Sequence, residues 1–453
     1  MTGPVLKRAL GLKEIVAVEV GMTIGAGVFA LTPIAAGMSG PAVFIAYIIA
    51  AIPIVFLMLT IAGLSAALPT VGGSYRYPSR LFSPLWAFVG IWGLAVGLVF
   101  GTFPLMAVTC AHYLQSLWPS LPETAFSVGL LTVFFLANLF GVEIAAVAQM
   151  AMVVVLIVAL LSYGIGGLPH VNREYFHPFL PHGAGGLLAA SALLTFAHLG
   201  ANTVIELGGE IKNPSRNMPL SLLITIPLVT TIYVLVGFIA VGVAPYSEVE
   251  KAGDLTAAAS VFMKGPWLAF FILGGAALAI TTTINSTFMV ATKSMLILSS
   301  DGMLPNFLAW IHPKYGTPWV FLTVIWGISV ITILAELPIS MFANFASIGG
   351  LIIFIPVMIS AMMLKKRRPA EYEKAPFKLR GALYWIAPIG GLLLSVMAIG
   401  MLLYDSTHRG YAELVFFVGW IIAGVAIFFV LKARMERVSG KSIREIMARD
   451  KFV

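Results

Sequence analysis

Val20-Gly21-Met22-Thr23-Ile24-Gly25-Ala26-Gly27-Val28-Phe29-Ala30-Leu31, with Pro33 two residues on, is the stretch that decides how this chain folds. It lies inside an apolar run at residues 14–37, and no side chain from Val20 to Gly37 is charged. A helix of that length crosses roughly 30 Å of hydrocarbon. Gly21, Gly25 and Gly27 stand mid-run, where each glycine weakens a helix by about 1 kcal/mol relative to alanine. Two structures answer this pattern. Either the glycines let a neighbouring helix approach closely, or the helix breaks there and its second half presents free amide N–H groups that attract a carboxylate. Glycine spacing alone leaves both open.

Outward from this stretch the same composition repeats. Hydrophobic residues make up 60% of the 453 and charged residues 10%; a soluble chain of this length needs about twice that charged fraction. Apolar runs at 14–37, 41–68, 84–117, 124–141, 146–167, 187–208, 219–244, 267–298, 318–336, 339–364, 381–404 and 412–433 predict twelve membrane spans. The third and eighth exceed one bilayer thickness, which implies tilt or extension beyond it. None shows the short apolar/polar alternation of a barrel strand. The expected fold class is all-α integral membrane.

Charge placement orients the chain. With the N-terminus in the cytoplasm, only Arg173, Lys251, Lys264 and Arg409 lie outside, and the other 23 of the 27 Lys and Arg lie inside. That asymmetry is what membrane insertion demands, so both termini are expected in the cytoplasm, in a cell (plasma) membrane protein. The net charge of +8 then needs no nucleic-acid partner. A single cysteine, Cys110, excludes an intrachain disulfide. The N-terminal residues lack a signal-cleavage pattern, so the first span is expected to stay. The basic segment 434–453 reads as a solvated tail that enforces topology, or as an amphipathic helix on the inner leaflet.

No phosphate-cradling loop, metal-ligand spacing or nucleophile elbow is present. Chemistry is therefore sought among polar residues inside the spans. Span 6 carries Phe196-Ala197-His198-Leu199-Gly200-Ala201-Asn202-Thr203 and then Glu206, Gly208 and Gly209. Each polar group there is expensive in lipid and should face protein or water. Interrupted spans in corresponding positions of two halves point to a solute site at the midplane, and spans 1 and 6 are five apart. Span 8 carries Thr281-Thr282-Thr283-Ile284-Asn285-Ser286-Thr287. Hydroxyls of Thr282 and Thr283 facing the break would ligate Na⁺; their plainer role is bonding to the preceding turn. His198 is either a proton carrier or bonded to a carbonyl. Glu206 is either a titrating group or a structural carboxylate. Trp92, Phe100 and Asn344 either line the site or pack. An intramembrane enzyme needs a catalytic pair, and His198 and Glu206 lie about two helical turns apart, too far to form one.

TIGAGVFAL resembles the broken first helix of the amino acid–polyamine–organocation (APC) transporters. GGSYRYPSRLFSPLWAFVGIW, GGEIKNPSRNMPLS, SSDGMLPNFLAWIHPKYGTPW and LKKRRPAEYEKAPFKLRG are similar to their 2–3 loop, post-helix-6 segment, 8–9 link and 10–11 loop. The resemblance implies a LeuT-type fold of twelve helices with discontinuous helices 1 and 6. Its parts would be a cytoplasmic N-terminus at 1–13, one five-helix repeat at 14–167, its inverted copy at 187–364, helices 11 and 12 at 381–433, and the tail. It implies an amino acid substrate, its carboxylate on the amides of Gly25, Ala26 and Gly27. Its ammonium would meet carbonyls near Thr23, Ile24, Phe196, Ala197 and Leu199, with Phe196 as a lid and Gly200 at the helix-6 break. Two positions depart from the family. Asn202 stands where many members have an acid, and Leu156 falls where some proton-coupled members carry a lysine. A neutral, mostly apolar zwitterion fits the neutral Asn202 best. A cationic amino acid or polyamine using Glu206, and a sensor that binds without transporting, are the alternatives. No cofactor is expected beyond a coupling ion, Na⁺ or H⁺. Oligomeric state stays open.

Overall fold

The computed structural model describes residues 10–70, 72–140, 146–206, 211–310, 312–313, 317–408, 411–443 and 445. Lys7, Arg8, Gly141, Gly208, Gly209, Lys314, Arg409 and residues 446–453 lie outside the described residues, as do the side chains of Ala26, Thr203 and Lys293.

Hydrocarbon offers no partner to a backbone N–H or C=O, so an apolar run that spans it closes its own bonds as a helix. The first such run is split into α1 (Leu12–Thr23) and α2 (Ala26–Ser39), followed by α3 (Val43–Ala67) and the short α4 (Gly73–Tyr77). Then come α5 (Pro84–Gln115), α6 (Glu123–Leu139), α7 (Ala146–Gly167) and α8 (Gly183–Leu194). The remaining long helices are α9 (Pro214–Val243), α10 (Leu278–Ser300), α11 (Trp319–Leu334), α12 (Ile339–Ile352), α13 (Phe354–Arg367), α14 (Leu383–Thr407) and α15 (Ala412–Ser439).

Among the described residues, nine stretches are long and apolar enough to cross a membrane, and α6 and α11 are shorter apolar helices. One of the nine, Gly27–Ala67, contains most of α2 and all of α3. The chain turns between them at Gly40, whose φ of 67° favours glycine. No strand occurs among the described residues. One parallel bridge joins Leu10 to Ile211, where the Lys212 N–H donates to the Leu10 carbonyl at 2.8 Å.

The outer faces are apolar. Val415, Ile422 and Val430 on α15 are 67%, 63% and 69% exposed, a surface that suits lipid rather than water. Inside, two hydrophobic clusters fill the two ends of the bundle, and among the described residues Phe196 alone packs against both. Near the end where α1 begins, Arg80 and Asp301 form a two-pronged ion pair, with distances of 2.6 and 2.9 Å. It ties the segment after α4 to the end of α10.

Candidate functional site

The first helix breaks at Ile24 and Gly25, inside the glycine stretch. Ile24 N–H makes the last helical bond, to Val20 O at 2.8 Å, and Gly25 N–H turns back to Thr23 O at 3.0 Å. Ile24 leaves helical geometry with ψ 74°. The first amides of α2 have no carbonyl one turn behind them, and the carbonyls at the end of α1 lack their helical donors. Tyr233 of α9 donates its hydroxyl to one of these, Thr23 O, at 2.6 Å, beside the Gly25 N–H. The hydroxyl lies 3.0 Å from Ala197 O as well.

Span 6 does not open as span 1 does. After α8 it tightens into a 3₁₀ helix over Thr195–Ile205, and this changes which residues share a face. At three residues per turn, Phe196, Leu199 and Asn202 form one row and Ala197 and Gly200 the next; all five line the central cavity. The third row, His198, Ala201 and Val204, is fully buried away from it. Of the two roles open to His198, proton carrier or carbonyl partner, its position off the cavity fits the second. Its Nδ1 lies 3.3 Å from Leu194 O, and its ring stands edge-on to Tyr47 and Tyr233.

Close approach of the two interrupted spans explains the glycines. A Cβ on Gly27 would sit 2.8 Å from Ala197 Cα, and one on Gly200 would overlap the backbone of Met22 and Thr23. Both readings of the glycine stretch therefore hold: the helix breaks, and it breaks where another backbone presses on it.

The cavity has a volume of about 140 Å³ and is open at one side. Thr23, Gly25 and Gly27 form one wall, and Gly97, Leu98, Thr102 and Met106 of α5 form another. Gly97–Thr102 is a π-helical stretch, the kind of local widening that recurs at functional sites. Thr283, Thr287 and Ala291 of α10 continue the lining toward Ser74 and Glu206. The cavity thus extends toward the end where α1 begins. Beyond the break the opposite side is packed shut: Phe29 meets Tyr113 and Phe271 at ring separations of 5.5 and 5.9 Å, and Tyr113 donates to Phe29 O at 3.1 Å.

Glu206 lines the cavity and accepts the Ser74 N–H at 3.4 Å, at the start of α4. Thr282 and Thr283 both donate to Ala279 O, at 2.9 and 2.8 Å, and Thr283 Oγ1 lies 3.5 Å from Gly21 O. Thr283 reaches the cavity and Thr282 does not. Ile24 is buried in the core and is likewise absent from the lining. Of the span-8 polar group, Asn285 bonds Asn138 of α6 at 2.8 Å. Trp92 stacks on Trp420 at 4.7 Å, Phe100 packs on Phe416, and Asn344 donates to Glu413 at 2.9 Å; all three pack rather than line the site. Leu156 is 2% exposed.

Two residues behind the site, Tyr233 beside the break and Glu19 a turn before Thr23, escape a reading of the sequence alone. Tyr233 carries no local signal, because its importance lies in reaching two carbonyls of other helices. Glu19 does carry one: an acid inside a span. Changing Tyr233 to Phe removes the one hydroxyl hydrogen shared by the Thr23 and Ala197 carbonyls, while Thr23 O keeps the Gly25 N–H, at a cost of about 0.5–1.5 kcal/mol. The melting temperature in detergent is expected to fall and solute affinity to drop about tenfold. Unchanged melting and affinity would remove Tyr233 from the site.

A family model described as amino acid permease matches residues 10–429. The branched-chain amino acid permease BcaP of Bacillus subtilis (strain 168) is 27% identical, over 96% of this chain and 95% of its own length. The methylthioribose transporter of the same organism is 26% identical over 94% and 93%. Cationic amino acid transporter 2, vacuolar, of Arabidopsis thaliana is 28% identical over 90% of this chain and 67% of its own.

Proposed function

The chain belongs to the amino acid permease family, and from that premise we propose that it carries neutral, mostly apolar amino acids across the membrane by alternating access. It is a multi-pass membrane transporter rather than an enzyme. The observation that carries the finer reading is the start of α2. The helix starts at Ala26 with its first amides free of intrahelical partners, and Gly25 and Gly27 line a cavity whose wall is mostly apolar, with Asn202, several hydroxyls and, at one end, Glu206. A carboxylate is stabilised by helix N-terminal amides, and an aliphatic side chain by the wall from Leu94 to Met106. Phe196, where the two hydrophobic clusters meet, covers the bound solute.

In this reading the twelve helical segments form two inverted five-helix repeats, 14–167 and 187–364, followed by 381–433. Both termini lie in the cytoplasm of a plasma-membrane protein. The cavity's extension toward the start of α1 then makes this conformation inward-facing. Thr282 and Thr283, with the Ala279 and Gly21 carbonyls, supply oxygens for a coupling Na⁺, a hard cation that takes oxygen ligands. Leu156 leaves no cation in α7 to replace it.

A second reading is favoured by Glu206, the carboxylate among the lining residues: a cationic amino acid, its side-chain charge placed toward Glu206. One experiment separates them. Proteoliposomes holding the full chain are offered labelled valine, leucine, lysine, spermidine and methylthioribose, with Na⁺ and pH gradients imposed separately. Valine and leucine are expected to enter saturably. Entry of lysine alone would favour the second reading, and entry of methylthioribose alone would remove the carboxylate site. Valine uptake that is indifferent to replacing Na⁺ by K⁺ would remove the ion site.

A further inference from the structure

Glu19 lies on α1 one turn before Thr23 and is 1% exposed. Its carboxyl group faces two hydroxyls of α9. Ser221 Oγ is 2.6 Å from Oε1, and Thr225 Oγ1 is 2.7 Å from Oε2. Ser221 and Thr225 are four apart, hence on one face of α9. Ser221 Oγ also stands 2.9 Å from Met218 O.

The hydrogens distinguish two states of this cluster. A hydroxyl has one hydrogen to donate, and an ionised carboxylate only accepts. With Glu19 ionised, Ser221 cannot serve both Oε1 and the Met218 carbonyl. With a proton on Oε1, that O–H donates to Ser221 Oγ, Ser221 donates to Met218 O, and Thr225 donates to Oε2. Every hydrogen then has an acceptor, and every close oxygen pair is explained.

No ion pair reaches Glu19 among the described residues. From α9 come Tyr233, whose hydroxyl is on the Thr23 and Ala197 carbonyls, and Arg216, which is exposed at the helix start. The 3₁₀ segment brings His198, set against Tyr47 and Tyr233, and beyond it Glu206, on Ser74. On α7 the titratable Tyr163 stacks on Phe271 instead, and α10 brings no described charged side chain. Lys13 and Glu14 lie at the opening turn of α1 itself. An acid in a span without a counter-ion is expensive as an anion and marks proton pathways elsewhere.

We propose that Glu19 is a proton-binding site of the transport cycle, protonated while α1 is packed on α9 as here and exchanging its proton with the aqueous phase when that contact opens. The proton is taken from water onto Oε1 and returned to water, so no other reactant is needed. Thr23 Oγ1 donates to the Glu19 carbonyl at 2.6 Å, which connects the acid to the last turn before the break. This proposal rests on the transport reading above.

Glu19→Gln keeps the cluster's geometry, since its amide N–H₂ donates to Ser221 and its C=O accepts from Thr225, but it carries no titrating proton. Two measurements on the full chain test the site. In acid-minus-alkaline infrared difference spectra, the wild type is expected to show a carboxylic-acid stretching band that Glu19→Gln lacks. In proteoliposomes, exchange of labelled valine at equal pH is expected to persist in Glu19→Gln. With Na⁺ equal on both sides, so that the Na⁺ site drives nothing, accumulation driven by an inward proton gradient is expected to fall roughly tenfold. Identical spectra at every pH, or equal gradient-driven accumulation, would overturn the site while leaving transport intact. A wild type that exchanges no valine but still shows the Glu19 band would overturn the transport reading, and the cycle role with it.

Discussion

Arg80→Ala is expected to destabilise the protein by about 2–4 kcal/mol, because it strands a partly buried Asp301 without its partner. The pair is 4% and 10% exposed at the two side chains. Its two parallel contacts match the fork of a guanidinium. Arg80 also reaches Ser79 Oγ at 2.7 Å and lies over the Tyr75 ring. Arg80→Lys keeps the charge but not the fork, so partial loss is expected. Removing both partners, as Arg80→Ala with Asp301→Ala, leaves no unpaired charge and should melt above the sum of the single losses. Thermal denaturation in detergent measures all five proteins, Asp301→Ala alone included. An Arg80→Ala variant that melts with the wild type would show the pair to be an ornament of the surface rather than a tie between the α4 segment and α10.

The second large effect is steric. Gly200→Ala adds a methyl where the backbone of Met22 and Thr23 already stands, and Gly27→Ala adds one against Ala197. Such overpacking costs about 1–3 kcal/mol for a methyl, and valine at either position exceeds it. Both glycines line the cavity, so loss of stability and loss of solute binding are expected together. For Gly200→Val, no measurable valine binding is expected in whatever fraction stays folded. Gly200→Ala with wild-type melting and wild-type affinity would mean that the two interrupted spans do not need to touch. Tryptophan-fluorescence melting and equilibrium binding of labelled valine decide it.

Much of the site is legible in the chain's own residue order. Gly25 and Gly27 mark the break because a helix tolerates few glycines, and Gly200 and Asn202 mark span 6 because lipid tolerates few polar groups. Thr23, Gly25, Gly27, Phe196, Ala197, Leu199, Gly200, Asn202, Glu206 and Thr283, all expected at the site, line one cavity. The residues that fall outside it share a cause. The chemistry of His198 suits a proton carrier, but the 3₁₀ repeat turns it to the opposite face. Thr282 differs from Thr283 by one position, about 100° of rotation on a helix, and one position decides which hydroxyl meets the cavity.

The membrane class and the apolar helical character follow from the order of residues, and the glycine stretch narrows where the first helix could break without deciding that it does. These are local matters, since each span must satisfy its own backbone and glycine weakens a helix wherever it stands. Which side chains meet is decided only in the packed bundle. Glu19 finds Ser221 and Thr225 across 202 and 206 positions, and Tyr233 reaches Thr23 and Ala197 across 210 and 36. Such pairs depend on how far each helix is rotated about its axis and on how closely glycines let two backbones approach. Both are properties of the tertiary structure, and no single run of residues contains them.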